Sequence, residues 1–226
     1  HDYTVTSVSG THKRKRRSLR MGKVAAEELS KMIFTEKVEI NISDKAHNEA
    51  INNIFDENRF YKEFQAKLEV MFALGGLVLK AVPKKDPFGE YKMTIQYVQP
   101  DLFIPISWDN GEVSEGAFMN ITKKGDKVYC LFEIHKWKVV SRSKENGEPE
   151  QVRLYTIENE LYESEAMNMQ DSKKVPLSIL YPDLEPIVHV EGLTLPMFQY
   201  LKPNIANNLD IGSPLGLSIY ANAMDT

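Results

Sequence analysis

The chain has 226 residues, of which 42% are hydrophobic and 27% are charged, and its net charge is −4. No run approaches the roughly 18 apolar residues that a membrane-spanning helix needs, so no membrane partner is predicted. The only cysteine, Cys130, excludes an internal disulfide framework and a paired-cysteine metal site, and its alternating strand context predicts a buried small side chain.

The charge is unevenly distributed along the chain. Seven of the eleven residues at 13–23 are basic, and removing them from the 28 basic residues leaves 21 against 32 acidic ones. Residues 1–17 are therefore predicted to be a basic, flexible arm on an acidic body. The arm is either a solvated segment or a contact for phosphates or for an acidic neighbouring subunit. The candidate subunit, capsid or DNA contacts are Lys13, Arg14, Lys15, Arg16, Arg17, Arg20 and Lys23.

Helices are predicted next, over 18–76. Apolar residues recur at three- and four-residue steps over 18–33, which indicates one helical face, and a short strand is predicted at 38–42. Ser43 is the expected cap of a second helix, with Asn58 as its left-handed end. A third helix is expected at 59–74, ended by Gly75 and Gly76.

The period changes to two over 77–200, which predicts strands at 77–82, 93–98, 102–108, 112–122, 127–140 and 151–158. Pro105 predicts an edge or a bulge, and Asn110 with Gly111 predicts a tight hairpin. A turn is expected at Asn159 before the meander continues at 161–162. The fold class is therefore α+β, with N-terminal helices followed by a mostly antiparallel β-sheet.

The last segment, 201–226, is predicted to be a loop and the start of a further helix. An extended strand ends at Pro203, and Ser213 and Pro214 are typical of a helix cap and first helical position. A helix beginning there has little to pack against before the last residue. We therefore expect the chain to be the N-terminal part of a longer protein.

Motifs of catalysis were sought and none was found. The five histidines lack metal-ligand spacing, no glycine-rich phosphate loop is present, and no nucleophile elbow occurs. The strand aromatics are better explained as sheet core than as a base-stacking platform, since basic residues are not interleaved with them. The prediction is no enzyme, no catalytic residue, no metal and no cofactor.

Three separated segments resemble portal proteins of long-tailed, siphovirus-type double-stranded-DNA phages. They are the helix-then-strand segment at 21–40, the strand FEIHKW at 132–137, and the segment FQYLKPNIANNLDIGSPLGLSIYANA at 198–223. The three matches occur in the order that the family has, and they extend over nearly the whole chain.

The resemblance implies a structural role. Portal proteins form a dodecameric ring, a homo-oligomer at one capsid vertex, through which double-stranded DNA passes during packaging and ejection. Their partners are the terminase large subunit, the scaffold, the major capsid protein and head-completion proteins, and they are found in the virion and, during assembly, in the host cytoplasm. This chain would supply the wing and the beginning of a stem-directed helix.

Two alternatives remain open at this point. One is another phage head structural or minor capsid protein. The other is a nucleic-acid-binding module that uses the basic arm, which a salt-dependent affinity lost on deletion of the arm would reveal.

Overall fold

A computed structural model describes residues 2–7, 10–15, 21–34, 38–143, 149–167 and 169–219. In these ranges the chain forms three helices and eleven strands, and every strand pairing is antiparallel. The predicted α+β class is confirmed. No helix in these ranges is long and apolar enough to cross a membrane.

The N-terminal segment forms a β-hairpin. Strands β1 (Asp2–Ser7) and β2 (Gly10–Lys15) pair from Asp2 opposite Lys15 to Ser7 opposite Gly10. The sequence analysis did not predict this hairpin, because the basic run masked the strand-forming Thr, Tyr and Val residues before it. The flexibility of the arm stays a prediction.

Helices α1 (Met21–Ile33), α2 (Lys45–Glu57) and α3 (Phe60–Leu74) follow. Helix α1 packs on α3 through the fully buried Ala26, and Phe34 stacks on Tyr61 and meets Phe64 edge to face. Helix α3 ends at Gly75, whose φ of 82° is left-handed, as predicted.

The predicted strand at 38–42 is wrong, since these residues form no regular element. Two of their backbone N–H groups donate instead to side chains. Ile40 donates to Tyr61 Oη at 3.2 Å and Ile42 to Asn48 Oδ1 at 2.8 Å. Side chains of α3 and α2 thus accept the backbone N–H groups of this segment, which therefore needs no partner strand.

The predicted limits of α2 also need correction. Its cap is Asp44, one residue after Ser43, because Asp44 Oδ1 accepts the His47 N–H at 2.9 Å. Asn58 is right-handed with φ −90°, and Arg59 is the left-handed residue with φ 48°. The Asn58 side chain links α2 to a strand further along the chain by donating to Met93 O and accepting from the Ile95 N–H.

A three-stranded sheet lies under the helices. It consists of β3 (Leu77–Lys85), β4 (Tyr91–Val98) and β11 (Phe198–Leu201), in the order β11-β3-β4. One face carries Leu79, Ile95 and Tyr97 into the core beneath α3. The other face carries Val78 and Phe198 toward the second sheet.

The second, larger sheet has the order β10-β8-β7-β6-β5, with β9 paired to β8. Its strands are β5 (Phe103–Asp109), β6 (Glu112–Lys124), β7 (Lys127–Ser143), β8 (Pro149–Ser164), β9 (Lys173–Val175) and β10 (Ile187–Val190). The β5–β6 turn has positive φ at Asn110 and Gly111, and the register shifts near Pro105, both as predicted.

The predicted turn at Asn159 is wrong, because β8 runs through it without interruption. The residue is buried, and its backbone and side-chain amides donate to Pro186 O and Glu185 O, each at 2.8 Å. A distant loop therefore holds Asn159 in the strand, which overrides its preference for turns.

Strands β7 and β8 pair along their whole length, but their neighbours do not follow them. Pairing of β6 with β7 stops at His135, and β10 covers β8 only from Tyr155 to Glu158. Among the described residues, 138–143 and 149–154 thus form a two-stranded ribbon that projects beyond the rest of the sheet.

The predicted helix start at Ser213 and Pro214 is wrong for the described residues, because 213–219 form no helix. Ser213 Oγ accepts the Leu215 N–H in a local turn, and the Ile219 N–H donates to Phe72 O at 3.1 Å. After this turn the segment bonds to α3, near the end of that helix. Residues 220–226 lie outside the described ranges.

Candidate functional site: the junction between the sheets

The two larger sheets face each other across an aromatic core. Phe103 is its centre, with its ring centroid 5.1 Å from that of Phe118 and 5.4 Å from that of Phe198. The buried members of this core are Val78, Phe103, Val113, Phe118, Phe198 and Tyr200. Their contacts hold the small sheet against the large one.

An ion pair crosses this apolar junction. Lys80 on β3 is only 6% exposed, and its Nζ lies 2.9 Å from both carboxylate oxygens of Glu133 on β7. The same ammonium group lies 4.7 Å from the centroid of the Phe118 ring. Burying a charge is costly unless it is paired, so each member of the pair depends on the other.

A histidine completes the site. His135 is 1% exposed, and its Nε2 lies 2.6 Å from Glu133 Oε1. Its Nδ1 lies 2.7 Å from Tyr155 Oη, which accepts the Met197 N–H at 3.2 Å. Both ring nitrogens of His135 therefore have a partner, Glu133 on one side and Tyr155 on the other.

The environment shifts the pKa values of the two acids in the network. Burial alone would raise the pKa of Glu133, but the hydrogen bond and charge of His135 and those of Lys80 outweigh it and lower the pKa to about 2. Burial also raises the pKa of Tyr155. At neutral pH, Glu133 is therefore charged and Tyr155 is protonated.

The wall of the site continues along β7 and β8. The Trp137 ring lies 4.8 Å from the Tyr155 ring, and Arg153 lies 4.1 Å above the indole. The Trp137 backbone N–H donates to Glu115 Oε1 at 2.7 Å. These contacts hold β7 against its two neighbours, β6 and β8.

A cleft of about 630 Å³ opens beside the ion pair, and its lining includes Lys80, Val82, Gln96, Val98, Phe118 and Glu133. Both oxygens of Glu133 are already bonded to Lys80, and one of them also to His135. The carboxylate is therefore not free to act as a general base. The arrangement connects the two sheets and is poorly suited to general-base catalysis.

Residues with metal-binding side chains are scattered. No group of three or more His, Cys, Asp or Glu side chains that could hold a metal occurs in the described ranges. Cys130 is buried, as predicted, and burial raises its pKa, which makes it a poor nucleophile.

The structure places the predicted contact residues at two locations. Lys13 is exposed on β2, and the backbones of Arg14 and Lys15 belong to the same strand. Lys23 is exposed in the first turn of α1. Arg16, Arg17 and Arg20 lie outside the described residues. Of the contact residues whose side chains the structure describes, neither Lys13 nor Lys23 belongs to the junction.

Sequence reasoning missed the junction itself. The alternation in FEIHKW already places Glu133, His135 and Trp137 on one face of a strand. An acidic residue and a histidine on the buried face of one strand indicate a polar network, because buried polar groups need hydrogen-bond partners. Lys80 gave no comparable signal, since it is an isolated lysine in an apolar strand.

A comparison of the sequence with protein families identifies one family. The model of the family described as "Phage portal protein, SPP1 Gp6-like" matches residues 8–210. The matched region includes the three helices, both larger sheets and the junction. Among curated proteins, no significant match was found.

Proposed function

Because this chain belongs to the SPP1 Gp6-like phage portal protein family, a family of structural proteins, we propose that it forms the wing of a portal ring at the capsid vertex. The ring serves as the conduit for packaging and ejection of double-stranded DNA. It docks the terminase large subunit, the scaffold, the major capsid protein and head-completion proteins. The single observation that carries the proposal is the family match over residues 8–210.

The geometry of the junction suits such a role. A wing must keep its shape while forces act on the ring, and a cross-sheet ion pair inside an aromatic core resists sliding of one sheet over the other. Lys80 and Glu133 can keep their short contacts only if β3 and β7 keep their relative position. We therefore assign the junction a positioning role in the wing.

The charge distribution suits a conduit as well. Outside residues 13–23 the chain has 21 basic and 32 acidic residues. Phosphate contacts slow the movement of DNA through a channel, and an acidic body offers few of them. The basic hairpin is then available for an acidic surface on a neighbouring subunit or on the capsid.

The proposal is tested on the full-length protein and on the phage that encodes it. We expect rings with a central channel in electron micrographs of the purified protein. Early termination of the gene should give capsids without DNA, and supplying the wild-type gene should restore packaging. A protein that stays monomeric at all concentrations, or normal packaging without it, would contradict the proposal.

A further inference from the structure

The outer edge of the large sheet has an apolar row. Strand β5 is the last strand on this side among the described residues. Its alternate residues Ile104, Ile106 and Trp108 are 43%, 47% and 44% exposed, whereas Phe103 is 4% exposed. Pro105 lacks an N–H and lies at the register shift, so regular addition of another strand is disfavoured here. The edge offers side chains for docking instead.

Acidic residues border this row at both ends. Asp101 precedes β5, and Asp109 and Glu112 lie opposite each other where β5 turns into β6; all three are exposed. None of them has an ion pair with a described residue, whereas Glu158, Glu160 and Glu163 elsewhere in the sheet are paired with lysines. The β5 edge is thus a negatively charged rim; the Lys202 ammonium group lies near the β5–β6 turn, but it donates to Pro214 O and forms no ion pair with these three carboxylates.

The β1–β2 hairpin has the complementary charge. Strand β2 carries Lys13, Arg14 and Lys15, and two more arginines follow in the sequence. Strands β1 and β2 contact chiefly each other. An isolated two-stranded hairpin is marginally stable in water, so a docking surface would stabilise it.

We propose that the β1–β2 hairpin of one copy of this chain docks on the β5 edge of the next copy, and this inference rests on the proposed function. Lysine and arginine side chains would pair with Asp101, Asp109 and Glu112 and approach the Trp108 ring. The two surfaces differ, so the contact is head-to-tail, and contacts of this kind form a ring when the rotation between neighbouring copies closes. The hairpin is then a lateral link between neighbouring wings.

Cysteine cross-linking tests the contact directly in the full-length protein. Lys13→Cys and Ile106→Cys are made as separate variants, mixed before ring assembly and oxidised mildly. We expect a covalent dimer in the mixture only, because a hairpin docked in its own subunit cannot link two chains. The native Cys130 is 2% exposed, so wild-type protein gives the background.

The matched control pairs Lys13→Cys with Ile187→Cys. Ile187 is 49% exposed on β10, at the opposite edge of the same sheet, and should give no dimer above background. Rings that assemble without a stronger signal for the Ile106 pair would overturn this inference alone. Wild-type protein that forms no rings would instead overturn the proposed function.

Charge reversal provides a second measurement. Replacing Asp101, Asp109 and Glu112 with Lys should lower the assembled fraction about tenfold at low salt. Adding Lys13→Glu, Arg14→Glu and Lys15→Glu should restore assembly. If the hairpin variants assemble normally but lose affinity for DNA, the hairpin is a nucleic-acid contact and the docking proposal is wrong.

Discussion

The junction between the sheets and the β1–β2 hairpin both contain lysine side chains, but in opposite environments. Lys80 is buried, touches an aromatic ring and has a single acidic partner at 2.9 Å. Lys13 is exposed on a hairpin whose strands contact chiefly each other. A buried charge is fixed by the fold and contributes to folding stability, whereas an exposed one contributes little to stability and remains available to a partner.

The largest effect should come from breaking the buried pair. We expect Glu133→Ala to lower the free energy of unfolding by about 3 to 5 kcal/mol, because Lys80 is left buried without a counter-charge. Urea unfolding followed by circular dichroism measures this. The matched control is Glu158→Ala, which should cost about 1 kcal/mol or less, because its partners Lys136 and Lys138 are 33% and 41% exposed and are solvated without it, whereas the Lys80 side chain is 8% exposed. Similar losses in both variants would contradict the distinction.

Acid should weaken the same junction. The pKa of Glu133 is about 2 in the folded protein and ordinarily 4.5, so the unfolded chain binds the proton more readily. The contribution of Glu133 is complete above pH 4.5 and is lost as the pH falls toward 2. We expect a loss on the order of 2 to 3 kcal/mol across this interval.

The control for the acid effect is Glu133→Gln. This variant cannot lose a charge at position 133, so its stability should change less with pH over the same interval. Unfolding curves collected at several pH values compare the two proteins. Parallel pH profiles would show that other carboxylates cause the acid sensitivity.

A substitution at the end of α3 that changes packing but no charge should have a smaller effect on stability. A Cβ at residue 76 would lie 2.1 Å from Tyr200 Oη, whose ring belongs to the junction core. We therefore expect Gly76→Ala to cost about 1 to 3 kcal/mol through overpacking. Gly212→Ala is the control, because its Cβ would meet nothing closer than 3.8 Å. Equal thermal stability of the two variants would show that Tyr200 can move aside.

The smallest effect on stability is expected at the hairpin. Replacing Lys13, Arg14 and Lys15 with Gln should change the free energy of unfolding by less than about 0.5 kcal/mol, since solvated charges add little. Ring assembly, measured by light scattering of the full-length protein, should nevertheless become weaker. Normal assembly would show that these side chains are solvated and contact no neighbouring subunit.

The elements that could be predicted from the sequence are those that neighbouring residues determine. The periodicity of α1, the end of α3 at Gly75 and the Asn110–Gly111 turn depend on neighbouring residues, and each is present in the structure. Ser213 and Pro214 carry an equally clear local signal for a helix. There the Gly216 N–H bonds to Tyr200 Oη and the backbone of residues 216–218 lies against Gly75, so distant contacts decide the conformation.

The junction was less predictable for the same reason. Glu133 and His135 are two residues apart, and their shared face could be inferred from strand alternation. Their cationic partner Lys80 is 53 residues from Glu133 in the sequence. No local pattern connects residues at that separation, so the pairing of the sheets had to be known first.

The projecting ribbon at 138–143 and 149–154 is a beam with one brace. Strands β6 and β10 flank β7 and β8 only at its root, and at about 3.3 Å per residue the ribbon extends roughly 20 Å beyond that point. Arg142, far from the root, is paired with Glu191, the residue that follows β10, and this ion pair braces the ribbon from one side. An exposed ion pair adds little stability and weakens as salt increases. We therefore expect high salt to loosen the ribbon, while the root, where Trp137 and Tyr155 are packed, keeps its shape.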